Sequence, residues 1–112
     1  MAENTNNEMV GSYIYNVTTQ ISHQIHEAWV AWMKEKHIPE VMAKGCFTKF
    51  QFVRLLEVDE SESVTYATQY YAESKADYNR YIEIHAAALR DDALKAWGNQ
   101  MIGFRSLMQV IQ

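Results

Sequence analysis

The feature that most constrains this chain is the order in which its apolar residues change period. The stretch YIYNVTTQI (13–21) is rich in β-branched and aromatic residues, the composition of a strand. Ser22 can cap the next segment, in which Ile25, Ala28, Trp29, Trp32 and Met33 recur at three and four, predicting an amphipathic helix over 23–37. FTKFQFVRLLEVD (47–59) and SVTYATQYYAE (63–73) return to strand composition, and the short polar turn between them makes an antiparallel hairpin. Ser74 with Asp77 three residues on is a capping-box pattern, opening a second helix that runs to about Trp97 before Gly98 ends it. MIGFRSLMQVI (101–111) is a fourth strand.

The order βαββαβ defines an α+β, ferredoxin-like arrangement: one four-stranded antiparallel sheet with two helices on one face. In the last strand Ile102, Phe104, Met108 and Val110 point one way and Met101, Leu107 and Ile111 the other. In the second, Phe50, Phe52, Leu56 and Val58 oppose Val53 and Leu55. Both faces are therefore expected to be apolar. A sheet with helices on one side only should alternate cleanly, so the bare face calls for a partner, most simply a second copy of the chain.

Length and charge bound the rest. A chain of 112 residues with 48% hydrophobic residues forms one domain with one core. MAENTNNEMVGS (1–12) is polar and aperiodic and reads as a disordered leader or an expression scar, leaving 13–112 as the domain. A net charge of −4 without Lys or Arg runs lacks the basic footprint of a nucleic-acid binder. There is no signal-type or 18-residue apolar run, and the single Cys46 cannot form an internal disulfide, so a cytoplasmic protein without membrane association is expected. The Asn16-Val17-Thr18 match to a glycosylation acceptor is then fortuitous.

Pro39, the only proline, disfavours helical geometry at Ile38, so the first helix is expected to stop near His37 and to resume for a short turn that Gly45 closes. A histidine at a helix C-terminus gains from the dipole, which accounts for His37 without a ligand. Yet His26, Val30, Met33 and His37 are spaced four, three and four, placing both histidines on one helix face. Tyr78, Ile82, His85 and Leu89 have the same spacing, which puts His85 on the stripe facing the sheet. A buried imidazole there could titrate near neutrality and act as acid or base.

Metal binding finds no support in spacing, and no cofactor is expected. His26 and His37 lie about 16 Å apart along a helix. His23 and His26 could chelate, but no carboxylate or cysteine completes a site. Cys46 has no local histidine signature of a nucleophile and reads as a small hydrophobe. Arg54, Arg90 and Arg105 carry more information: an arginine on a covered sheet face must find an anion, either a ligand or a carboxylate such as Glu57, Glu73 or Asp91. Tyr13, Tyr15, Tyr66 and Tyr70 would give a cleft polar tips.

The blocks YIYNVT, HEAWVAWMKEKHIPEVMAKG, RLLEVDE, VTYATQYYAES, YIEIHAAALR and FRSLMQV together resemble the DUF4286 proteins of Bacteroidetes, within the dimeric α/β-barrel superfamily, over roughly residues 13 to 111. The resemblance implies a homodimer whose two sheets form a barrel with the helices outside. Relatives often carry proline where Ala87 stands here, so a helix break after His85 is not to be carried over. Superfamily members bind ligands between helices and sheet, which makes His26, His37, Arg54, Arg105, Tyr15 and Tyr70 candidate ligand-binding residues. Heme-degrading members place an asparagine on the first strand and a histidine on the second helix, so that resemblance makes Asn16 and His85 candidate catalytic residues. Those enzymes also need a tryptophan before the second helix, where this chain reads Tyr70-Tyr71-Ala72-Glu73; heme oxygenation is therefore not expected. Two function classes remain: a protein that binds or transforms a small aromatic or polar molecule in the helix-sheet cleft, and a non-catalytic dimeric interaction or structural module. A cleft lined by His85, Asn16 and arginines would favour the first; one plugged by Tyr and Trp rings, the second.

Overall fold

The computed structural model describes residues 12–112. The expected leader falls outside the described residues except for Ser12, whose carbonyl accepts a backbone hydrogen bond from Val110 at 2.8 Å. Four strands, β1 (Tyr13–Ser22), β2 (Lys49–Arg54), β3 (Ser63–Ala72) and β4 (Met101–Gln109), form one antiparallel sheet in the order β2-β3-β1-β4. β2 and β4 are shorter than their sequence patterns. Residues 55–62 form a loop, with Glu57 at φ 59°, so Leu56 and Val58 are exposed rather than part of a strand.

A short 3₁₀ turn (His23–Ile25) leads into α1 (His26–Trp32), a π-turn (Met33–His37) and α2 (Ile38–Ala43), which together make one continuous helix. The expected stop at His37 is thus corrected. Ile38 keeps helical geometry, φ −60° and ψ −46°, and its N–H reaches back five residues to the Met33 carbonyl. Proline lacks a donor and its ring clashes with the carbonyl four residues back; the wider π-turn absorbs both defects without ending the helix. The second long helix is built alike: α3 (Lys75–Arg80), a π-turn (Tyr81–His85) and α4 (Ala86–Trp97). Ser74 caps it as its sequence predicts, accepting the Asp77 N–H at 3.1 Å. Gly98 ends it at φ 59°, ψ −136°, a conformation open essentially to glycine alone.

A π-turn inserts one residue into the helical count, so the inward stripe steps by five across each: Met33 to Ile38 in the first helix, Tyr81 to Ala86 in the second. The core lies between these stripes and the inner sheet face, around Trp29, Ile21, Val41, Val64 and an aromatic cluster in which Tyr15 meets Phe47, Tyr70, Tyr78 and Tyr81. The bare outer face is less uniformly apolar than β2 and β4 alone imply. One complete rung across the sheet, Gln51–Gln69–Asn16–Ser106, is polar and uncharged, and the next carries Val53, Ala67, Thr18 and Phe104. Ile102 and Phe104 on this face are 54% and 56% exposed.

Candidate functional site

β1 turns Tyr15, Val17 and Thr19 toward the helices, and these residues form the floor of a cavity of about 60 Å³. The first helix contributes Trp29, Trp32, Met33 and His37; the second contributes Tyr81, Ala86, Leu89, Arg90 and Ala93. Gly103 and Arg105 of β4 complete the wall, and their exposure, with that of Arg90, marks this edge as the mouth. Arg105 Nε donates to the Tyr15 hydroxyl at 3.1 Å. The His37 ring stacks on Trp32 with centroids 4.8 Å apart, and Trp97 meets Trp32 edge-on.

Three residues lining this cavity each bury a polar atom with no partner among the described residues: Trp29 Nε1, His37 Nδ1 and the Tyr70 hydroxyl. Burial holds the His37 imidazole below its ordinary pKa, against the pull of Glu40 and Asp92 and helped by Lys36 and Arg105, so the ring is neutral at neutral pH. Burial also drives the Tyr70 and Tyr81 phenols well above their usual range and keeps them protonated. The site therefore offers a neutral base, protonated phenols, an indole N–H and two guanidinium groups, enclosed by rings.

The residues nominated from sequence divide sharply. His37, Arg105, Tyr15 and Tyr70 share the cavity. Asn16 does not: strand alternation puts it on the opposite sheet face, where its amide donates to Thr18 Oγ1 at 3.0 Å. His85 also lies elsewhere, because the π-turn displaces it from the inward stripe into an outer groove between the helices with Glu40, Lys44 and Asp92. The Asn16–His85 pair is thus split by the sheet. His26 sits at another edge, its Nε2 2.7 Å from the Tyr66 hydroxyl. Arg54 is exposed and paired through two hydrogen bonds with Glu60, none of the three carboxylates its sequence context offered, and this bond holds the Glu60 carboxyl below its usual range. Cys46 is buried as a small hydrophobe. Among the described residues no group of three or more His, Cys, Asp or Glu is placed to hold a metal ion, and no helix is long and apolar enough to cross a membrane. Trp29, Tyr81 and Arg90 are additions: Trp29 enters the sequence reading only on the apolar stripe of the first helix, and Arg90 only as an arginine in search of an anion.

A four-stranded antiparallel sheet covered on one face by two helices, with a cavity between the layers, defines a ferredoxin-like α+β protein. Solved structures agree in fold. A dimeric ferredoxin-like protein from an uncultured marine organism superposes with a TM-score of 0.67 at 14% identity, covering 91% of this chain and 97% of its own. An EthD-like protein from Ralstonia eutropha gives 0.66 at 12% identity, over 92% and 95%. SnoaB, a cofactor-independent oxygenase from Streptomyces nogalater, gives 0.63 at 13% identity, over 89% and 94%. The chain belongs to the DUF4286 family, described as a domain of unknown function, whose model matches residues 12–111. No curated protein sequence matches it.

Proposed function

We propose that the protein is a homodimer that holds a small molecule in the helix-sheet cavity, with His37 as the acid–base group. One observation carries this reading: Trp29, His37 and Tyr70, all lining one cavity, each bury a polar atom that has no partner among the described residues. Each such group costs about 1–3 kcal/mol, and apolar residues of the same shape would remove that cost. Three around one cavity fit a site whose bonds are completed by a ligand. A neutral imidazole in an aromatic enclosure suits proton abstraction from an acidic O–H or C–H. That a cofactor-independent oxygenase shares the fold supports chemistry without a bound cofactor.

The small cavity supports a second reading. About 60 Å³ walled by Tyr15, Tyr70, Tyr81, Trp29 and Trp32 is far below the 300–1,000 Å³ of ordinary ligand pockets, as in a non-catalytic module whose rings only pack. The indole N–H resonance of Trp29 in the ¹⁵N-labelled protein separates the two. Titration with small aromatic and polar compounds should shift it saturably for at least one class and less so in His37→Ala. A panel that leaves it unmoved in a folded protein favours the packing module.

A further inference from the structure

We propose that the ligand of this cavity is a small organic carboxylate, its head gripped by Arg105 and Arg90 at the mouth and its short apolar or planar remainder lying among the rings. The inference deepens the function proposed above and rests on it. Two arginines and a histidine line the cavity, and no aspartate or glutamate does. Burial keeps the Tyr70 and Tyr81 phenols protonated.

The arginines are also unspent. Among the described residues Arg54 pairs with Glu60 and Arg80 with Asp77, whereas Arg90 and Arg105 have no carboxylate within 4.0 Å. Arg105 is held by its Nε bond to Tyr15, which leaves both terminal nitrogens for a ligand. Those nitrogens lie 3.8 and 4.0 Å from where a side chain at position 103 would begin, and glycine there keeps the approach open. A planar guanidinium anchored at one end and free along its fork suits two parallel bonds to a carboxylate. Deeper in, Trp29 Nε1 can only donate, and the Tyr70 phenol is a protonated donor; both side chains are at least 98% buried. Trp32, Met33, Leu89 and Ala93 add apolar wall, and the buried Thr19 and Thr68 hydroxyls add further polar points. The volume admits only a few non-hydrogen atoms beyond the head.

The test uses the full chain, ¹⁵N-labelled, with propionate and butyrate as probes, their neutral amides propionamide and butyramide as matched controls, and inorganic phosphate. The carboxylates should shift the Trp29 indole resonance saturably, and the amides should bind at least about tenfold more weakly, as loss of a charge-assisted bond requires. Arg105→Gln should erase that preference while the spectrum stays dispersed, and Arg105→Lys should keep part of it. Amides binding as tightly as carboxylates, or phosphate competing equally, would overturn the carboxylate assignment and leave the cavity a small-molecule site. If neither carboxylates nor amides move Trp29 in the folded protein, this inference fails; if the wider panel fails too, the proposed function falls with it.

Discussion

Two tyrosines of the same cavity should respond in opposite directions to loss of a hydroxyl. Tyr15 and Tyr70 have ring centroids 6.2 Å apart and are 5% and 2% exposed, so replacement by phenylalanine leaves packing nearly unchanged in both. The Tyr15 hydroxyl accepts from Arg105 Nε at 3.1 Å. Tyr15→Phe loses that bond, but exposed Arg105 can turn to water, so the cost should be about 0.5–1.5 kcal/mol. The Tyr70 hydroxyl is buried without a partner among the described residues. Tyr70→Phe removes a group whose burial costs about 1–3 kcal/mol, and the unliganded protein should gain about 1 kcal/mol. For a domain of this size that is a rise in Tm of about 4 °C, against a comparable fall for Tyr15→Phe. Thermal unfolding followed by circular dichroism, at one protein concentration without ligand, reads both values. Tyr70→Phe should also weaken ligand binding, the exchange of stability for function expected where a polar group is kept for a ligand. Equal losses of stability in both variants would mean that the Tyr70 hydroxyl is already satisfied, and would remove the argument that the cavity awaits a ligand.

The remaining predictions concern assembly, pH and the nearest enzymatic analogy. Light scattering after size exclusion should give about twice 13.0 kDa at micromolar concentration, and Phe104→Asp should shift it to the mass of one chain; a wild-type monomer would leave the outer sheet face unexplained. His37 has a folded pKa below its unfolded value of about 6.5, so its contribution is fully present above that pH and lost as pH falls through 6.5 toward the folded value. His37→Gln should flatten that part of the stability profile, and an unchanged slope would mean that His37 is not held neutral by burial. Hemin should give no sharp one-to-one Soret shift, because Asn16 and His85 lie apart and the cavity is about 60 Å³; a shift abolished by His85→Ala would refute that placement.

The fold was legible because strand alternation, the Ser74 cap and Gly98 are local signals, each consistent with the others. The site was half legible. Alternation in β1 and β4 is a property of the chain itself, so Tyr15 and Arg105 could be assigned to a face once the strands were recognised. The histidines could not be assigned in this way. A spacing argument assumes 3.6 residues per turn, and one π-turn in each helix breaks that assumption at the residue in question. It displaced His85 from the stripe its spacing predicts and kept His37 inside a helix that Pro39 was expected to end. Unpartnered atoms such as Trp29 Nε1 are a property of packing and have no sequence signature.

The two π-turns occupy matching places in the two βαβ halves, each ending on a histidine, with position 39 or 87 two residues beyond. Pro39 supplies a local reason for the first; Ala87 supplies none for the second. The second turn must therefore be held by what it packs against. If Tyr81 and Ala86 both face inward, as they do against Tyr15 and the cavity, a regular helix cannot serve, since residues five apart lie about 140° apart around its axis. The π-turn brings both onto the core side and leaves His85 on the flank. The same operation in the first helix aligns Met33 with Ile38 and leaves His37 facing the second helix, where the cavity lies. The halves differ in where the histidine sits: His37 stacks on Trp32 and lines the cavity with Arg90 and Arg105, while His85 lines the outer groove with Glu40, Lys44 and Asp92. One backbone device, used twice, thus yields one imidazole lining the helix-sheet cavity and one lining the groove outside it, and the proposed acid–base role draws on the first.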